Sequence, residues 1–300
     1  PLLGPLLLLG ACSFSASIAD DASRDGPGTS DGPKQIDAVP VPCGGIDCGA
    51  NSACVNNACT CEAGFGTPTA TGCSDINECA ADGACAADAG QCVNTVGSFE
   101  CYKPATCAAV KAKTGANTDG DYTLYIGGDG NKPWTAYCAD MNMATPLEFL
   151  TLPASGNTAM YKAGGGSSGN TVITTYQRVR LDPATLQIAT GNQRFATSEG
   201  SLTHSNSGTT VTTMPYATAM SCKNNGDKSA DAFINLTGTR FHETQQFEAV
   251  GNNPGSDLQV GNNQQTLKIS GGGFCGWNAP TGSQQNPFNL RGTTLQLAYQ

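Results

Sequence analysis

From residue 107 onward, short apolar and polar runs alternate between Gly, Asn, Asp or Pro punctuation. Residues 122–126 (YTLYI), 171–176 (TVITTY), 232–236 (AFINL), 266–269 (TLKI) and 294–299 (TLQLAY) follow, or nearly follow, a period of two. That period puts apolar side chains on one face of an extended chain, so it predicts an all-β domain. A short helix is predicted over residues 105–113. Roughly two hundred residues are enough to enclose a real core. Residues 164–169 (GGGSSG) read as a flexible loop, and no G-K-[ST] follows to make a phosphate cradle.

The N-terminal third has a different pattern. Residues 1–12 (PLLGPLLLLGAC) are apolar but too short to span a bilayer, and no run of about twenty apolar residues occurs. They read as part of a signal peptide. Residues 13–42 are mostly Ser, Asp, Ala, Gly and Pro, which bury too little surface to offset the entropy of ordering. This predicts a flexible tether, stiffer at its Pro-rich end.

Cysteine and charge then divide the chain further. Eleven of the 15 cysteines lie between Cys43 and Cys107, at spacings that suit small cross-linked modules in an oxidising compartment. Residues 43–101 carry seven acids and no Lys or Arg, whereas residues 102–300 carry twelve acids and thirteen bases. The formal charge of −9 therefore belongs to the tether and the modules. A near-neutral large domain argues against a nucleic-acid partner. An acidic module without bases suits a hard cation such as calcium, and equally a soluble surface.

Cys43 to Cys73 read C-x4-C-x5-C-x4-C-x-C-x11-C, with Gly64-Phe65 after the C-x-C. Six cysteines alone permit fifteen connectivities. A zinc site would need paired C-x2-C clusters or histidines, which this stretch lacks. The pattern resembles an EGF-like module over residues 43–73, and the resemblance implies Cys43–Cys54, Cys48–Cys59 and Cys61–Cys73. Residues 74–104 contain D-I-N-E-C from Asp75 and C-V-N-T-V-G-S-F-E-C to Cys101. These resemble a calcium-binding EGF-like module. The resemblance implies calcium held by the side chains of Asp75, Glu78 and Asn94 and the carbonyls of Ile76, Thr95 and Ser98. It also implies Cys79–Cys92 and Cys85–Cys101. Ser74 alone separates Cys73 from Asp75, the short spacer of tandem modules in which calcium stiffens the joint. Tyr102-Lys103 stand where the pattern has C-x-C, so the module lacks its last disulfide.

Further motifs run through residues 105–300. In order they are TCAAVK, DGDYTLYI, YCADM, PLEFLTL, YQRVRLDP, LQIAT, RFAT, PYATAMSC, AFINLTGT and GGGFCG. They resemble the GON domain found at the C-terminus of some ADAMTS metalloproteases, although that family's extra cysteines near the last two motifs are absent. A fibrinogen-like domain shares D-G-x-Y and Y-C-x-M but would continue with a Gly-Gly-Trp run, which is missing. Cys107–Cys138 and Cys222–Cys275 are the predicted pairs here. Leu9-Gly10-Ala11-Cys12 resembles the lipobox of bacterial lipoproteins, which implies lipidation of Cys12. Ser13 after it implies sorting to a Gram-negative outer membrane. With Cys12 lipidated, the other fourteen cysteines are all paired.

The fold class expected is therefore mostly β: small disulfide-rich EGF-like modules followed by an all-β GON-like domain. Catalysis has little support. A zinc protease of the attached type needs H-E-x-x-H, and after His242-Glu243 the second His position is Gln246. Gly165 to Gly169 match G-x-S-x-G around Ser167, but a nucleophile elbow needs a strand before it and a helix after it. His204 reads as a surface histidine, and Trp134 and Trp277 as core. The expected function is a lipid-anchored, calcium-binding surface protein whose large domain meets an extracellular protein or glycan. An exported hydrolase, or an ancillary domain of a metalloprotease system, is the alternative.

Overall fold

The computed structural model describes residue 43 and residues 45–69, 71–86, 89–204, 207–244, 247–282 and 293–300. The apolar leader, Cys12, the tether over residues 13–42 and Gln246 lie outside the described residues. No helix among the described residues is long and apolar enough to cross a membrane.

The chain is mostly β throughout. In the first cysteine module, Ser52–Val55 pairs with Ala58–Cys61 and Phe65–Thr69 pairs with Gly72–Asp75. In the second, Gln91–Thr95 pairs with Ser98–Tyr102, after a short 3-10 turn at Glu78–Ala80. Between residues 43 and 101, the buried apolar side chains among the described residues are those of Cys43 and Cys73. With so little core, bridges must supply the stability, each about 2–4 kcal/mol. They are Cys43–Cys54, Cys48–Cys59, Cys61–Cys73, Cys79–Cys92 and Cys85–Cys101.

The large domain begins with a helix at Cys107–Thr114, two residues later than the apolar pattern suggests. Thr106 sets that start, because its Oγ1 accepts from the Ala109 N–H at 3.1 Å. Glu148 Oε1 takes the Cys107 N–H at 2.9 Å, and Cys107–Cys138 ties the helix to the sheet. Gly115 ends the helix at φ 71°, a left-handed conformation suited to glycine.

Two sheets follow. The seven-stranded one runs, in spatial order, Phe241–Glu243, Thr294–Tyr299, Gln187–Ala189, Arg178–Asp182, Leu147–Thr151, Pro133–Ala139 and Gly120–Tyr125. The nine-stranded one runs from Phe247–Val250 through Gly276–Pro280, Ala219–Ser221, Thr158–Lys162, Ala230–Asn235 and Thr266–Gly272 to Gly255–Gly261. Val172–Tyr176 and Ala196–Glu199 branch from its middle. Their inward rows meet in one core that includes Leu124, Trp134, Leu150 and Phe241 from the first sheet and Tyr161, Val172, Ile234 and Ile269 from the second.

Two expectations need correction. Residues 164–169 are not a loose loop. Gly164 and Ser167 exchange backbone hydrogen bonds of 3.0 and 3.2 Å, and the Gly166 N–H donates to Cys222 O at 3.1 Å. Ser168–Gly169 pairs with Leu202–Thr203. Gly165, at φ 61°, sits so close that a Cβ there would lie 2.1 Å from Cys222 O. The glycines serve close approach of backbones. His204, expected at the surface, is 5% exposed, and its Nδ1 lies 2.6 Å from the Tyr161 hydroxyl.

Candidate metal centre

The second cysteine module begins where the Gly72–Asp75 strand leaves the first, so Asp75 is fixed at the junction. Asp75 faces the tip of the Gln91–Thr95/Ser98–Tyr102 hairpin. Its Oδ1 accepts the Gly97 N–H at 2.6 Å, and its Oδ2 accepts from Asn94 Nδ2 at 2.7 Å. Thr95 and Ser98 are opposite each other at that tip, and Asn94 is opposite Phe99. The Glu78–Ala80 turn packs against both strands of the hairpin. Asp75, Asn94, Thr95 and Ser98 are thus gathered around one turn, with Ile76 and Glu78 on the segment leading into it.

Glu78 tests whether this cradle fits a cation. Its Oε2 is buried and has no hydrogen-bond partner among the described residues. An uncompensated buried carboxylate oxygen is costly, and a hard cation relieves that cost. Acidic and amide oxygens without a thiolate or imidazole suit calcium over zinc. The residues fit the ion.

The preceding module is locked onto the same turn. The Ile76 N–H donates to Gly64 O at 3.0 Å, and Ser74 Oγ donates to Gly66 O at 3.1 Å. Gly64, at φ 84°, lies against Gly97 so tightly that a Cβ would sit 2.1 Å from Gly97 O. A Cβ on Gly97 would meet the Phe65 ring at 2.7 Å. Gly64→Ala should therefore prise the modules apart. The left-handed backbone alone costs about 1–2 kcal/mol, so calcium affinity should drop by about tenfold in a calorimetric titration.

On its other side the module leans on the large domain, through residues that local patterns do not mark. Gln91 Nε2 donates to Thr123 O at 2.8 Å, and the Tyr125 N–H donates to Pro104 O at 2.8 Å. Glu100 pairs with Lys113, whose ammonium stands 6.0 Å from the Tyr102 ring centroid. These contacts hold the end of the module where the C-x-C disulfide is missing. They join residues up to 32 apart in sequence, so no short motif signals them.

Thr123 also borders a cleft of about 500 Å³, lined by Asp121, Trp134, Thr151, Arg240 and Phe241 among others. The Trp134 indole N–H in its wall is buried without a hydrogen-bond partner among the described residues. Asp121 and Arg240 give this cleft one acid and one base.

The candidate catalytic groups fall elsewhere. Ser167 is 4% exposed, and its Oγ is 2.7 Å from the Tyr161 hydroxyl. Tyr161 in turn touches His204 and Cys222, of the Cys222–Cys275 bridge. This is a buried polar knot inside the core. His242 and Glu243 lie on the Phe241–Glu243 strand, paired with Ala298 and Leu297, and not on the helix a zinc motif requires.

Burial lowers the pKa of His204 below its ordinary value and so favours the neutral ring in the folded chain. The unfolded chain takes up a proton as pH falls through about 6.5, and the folded chain resists doing so. Stability should therefore be full above that value and decline below it. Urea midpoints measured from pH 7.5 down to 5.5 should fall, with a smaller slope in His204→Asn.

Comparison with known proteins agrees with this layout. No curated protein and no solved structure matches the chain. A calcium-binding EGF domain matches residues 75–120, which span the cradle of Asp75, Glu78 and Asn94 and reach into the large domain. The chain binds calcium through this domain, and such domains belong to extracellular or surface proteins. The GON domain model matches residues 104–164 and 163–290, more than half of the chain. Neither is a catalytic module. The paired sheets, the Cys107–Cys138 tie and the succession of motifs from Thr106 to Gly276 are thus explained together: the chain belongs to the GON domain family.

Proposed function

We propose that this protein is a lipid-anchored surface protein in which calcium stiffens an EGF-like stalk and the GON domain at its end binds an extracellular ligand. The ion is held by Asp75, Glu78 and Asn94 side chains and by the Ile76, Thr95 and Ser98 carbonyls. Asn94 Nδ2 meets Asp75 Oδ2, and a turn of the amide would offer the side-chain oxygen to the ion. The observation that carries the proposal is the double docking of the calcium module. Gly64 and Phe65 abut its Gly97 turn on one side, and Thr123 and Tyr125 bond to Gln91 and Pro104 on the other. A module packed against both neighbours transmits orientation, which is what a stalk must do. Cys12 carries the lipid, residues 13–42 give reach, and the fold acts by recognition and not by catalysis. The recognition surface is the cleft bordered by Asp121 and Arg240.

The full chain, loaded with calcium, can be screened on arrays of extracellular proteins and glycans. Binding should be lost in Asp121→Ala and Arg240→Ala with no change in melting temperature. Retention of binding in both variants would move recognition elsewhere. Hydrolysis of an arrayed polymer, abolished by a single substitution such as Ser167→Ala, would replace binding with catalysis. Cys12→Ser should release the protein from the membrane fraction; continued membrane association would refute the anchor.

A further inference from the structure

The nine-stranded sheet ends at Gly255–Gly261, whose paired strand among the described residues is Thr266–Gly272 alone. At its start Gly255 lies against the Gly226 and Asp227 backbone, and Asp257 O accepts from Asn278 Nδ2 at 3.4 Å. The register runs unbroken from Gly255 opposite Gly272 to Gly261 opposite Thr266. Every residue from Ser256 to Gly261 is exposed. Soluble proteins usually protect such an edge with lysine, proline, a bulge or a covering loop. This strand has none of the first three, and its one charge is Asp257.

Its apolar side chains are misplaced for a free edge. Side chains alternate across a strand, so cross-strand rows can be followed from the centre of the sheet outward. One row is Ala232, Ile269, Leu258, and the next is Ile234, Leu267, Val260. The first two members of each row are at most 3% exposed, yet Leu258 is 41% and Val260 53% exposed. Two core-facing rows thus run to the sheet edge and end in solvent.

We propose that a second copy of the chain pairs with this edge, strand against strand, antiparallel and two-fold symmetric about Leu258. Leu258 is the middle residue of the seven in the strand, so this register centres the pairing on the strand and spans its exposed residues Ser256 to Val260. Leu258 then meets Leu258 of the second copy, and Val260 meets Ser256, which joins the apolar rows of both sheets into one stripe. On the opposite face Asp257 meets Gln259, an acceptor against a donor. A register centred on Asp257 would instead set two carboxylates against each other, which is unfavourable. The sequence is thus self-complementary where the edge is bare.

Sedimentation velocity on the full chain from micromolar to submillimolar concentration tests this. A reversible monomer–dimer equilibrium is expected, with slower hydrogen exchange in residues 255–261 as the dimer fills. Leu258→Lys and Val260→Lys, both at exposed positions, should each weaken dimerisation by about tenfold or more without lowering the melting temperature. A chain that stays monomeric at every concentration overturns the proposal. So does a dimer indifferent to both lysines, or an edge that takes an extended segment of another protein while the chain itself remains monomeric.

Discussion

Glu78→Ala should weaken calcium binding by about 100-fold in an isothermal titration of the full chain, and Asp75→Ala by a similar factor. The two carboxylates are the charged members of the proposed ligand set, and the charge of the ligands is what sets the affinity of an oxygen cage. Their surroundings differ. Asp75 already accepts two hydrogen bonds, from Asn94 and Gly97, which calcium must share or displace. Glu78 has a buried oxygen with no hydrogen-bond partner among the described residues, so an ion there would relieve a desolvation cost. Removing Glu78 should consequently stabilise the calcium-free module slightly while abolishing tight binding. Asp75→Ala should destabilise the free hairpin tip as well. Thermal melts in calcium and in chelator separate the two. Unchanged affinity in both variants would remove these residues from the site.

Asn157→Ala should lower the melting temperature of the large domain by roughly 10 °C. Asn157 is 1% exposed and closes a polar knot between distant strands. Its Oδ1 accepts from the Tyr216 hydroxyl at 2.8 Å and from the Asn235 N–H at 2.9 Å. Its Nδ2 donates to Asn235 O at 3.1 Å. Alanine leaves the Tyr216 hydroxyl and both Asn235 backbone groups without these partners, at about 1–3 kcal/mol for each truly orphaned group. A total of about 4 kcal/mol, at 2–4 °C per kcal/mol for a domain of this size, gives the expected shift. Tyr216→Phe removes one bond and should cost less. The double variant should be less damaging than the sum, since the two side chains share a bond. A loss under about 3 °C would show that water replaces the amide.

How much of this was legible beforehand depends on whether the cause was local. The strand runs were, since residues 172–176 and 294–299 carry a clear period of two that burial against one core enforces. The calcium-binding module was legible as well, because Asp75, Glu78 and Asn94 lie at fixed offsets from cysteines. What misled was composition. The GGGSSG run reads as slack, yet Gly165 is small because the Cys222 carbonyl lies where a side chain would be. His204 reads as exposed because its partner Tyr161 is 43 residues away. The contacts of Gln91 with Thr123 and of Asn157 with Tyr216 are likewise matters of tertiary approach. No spacing rule could have found them.

Calcium is proposed to fix the joint between the two cysteine modules, and backbone nitrogen relaxation on the full chain measures that directly. With calcium bound, amides of residues 45–69 and 91–102 should report one common tumbling time, and the Ile76 and Gly97 amides should be rigid. In chelator the two groups should separate, with fast motion appearing at Ile76 and Gly97. Identical relaxation in both states, with calcium binding verified in the same sample, would contradict the claim that the ion sets the joint.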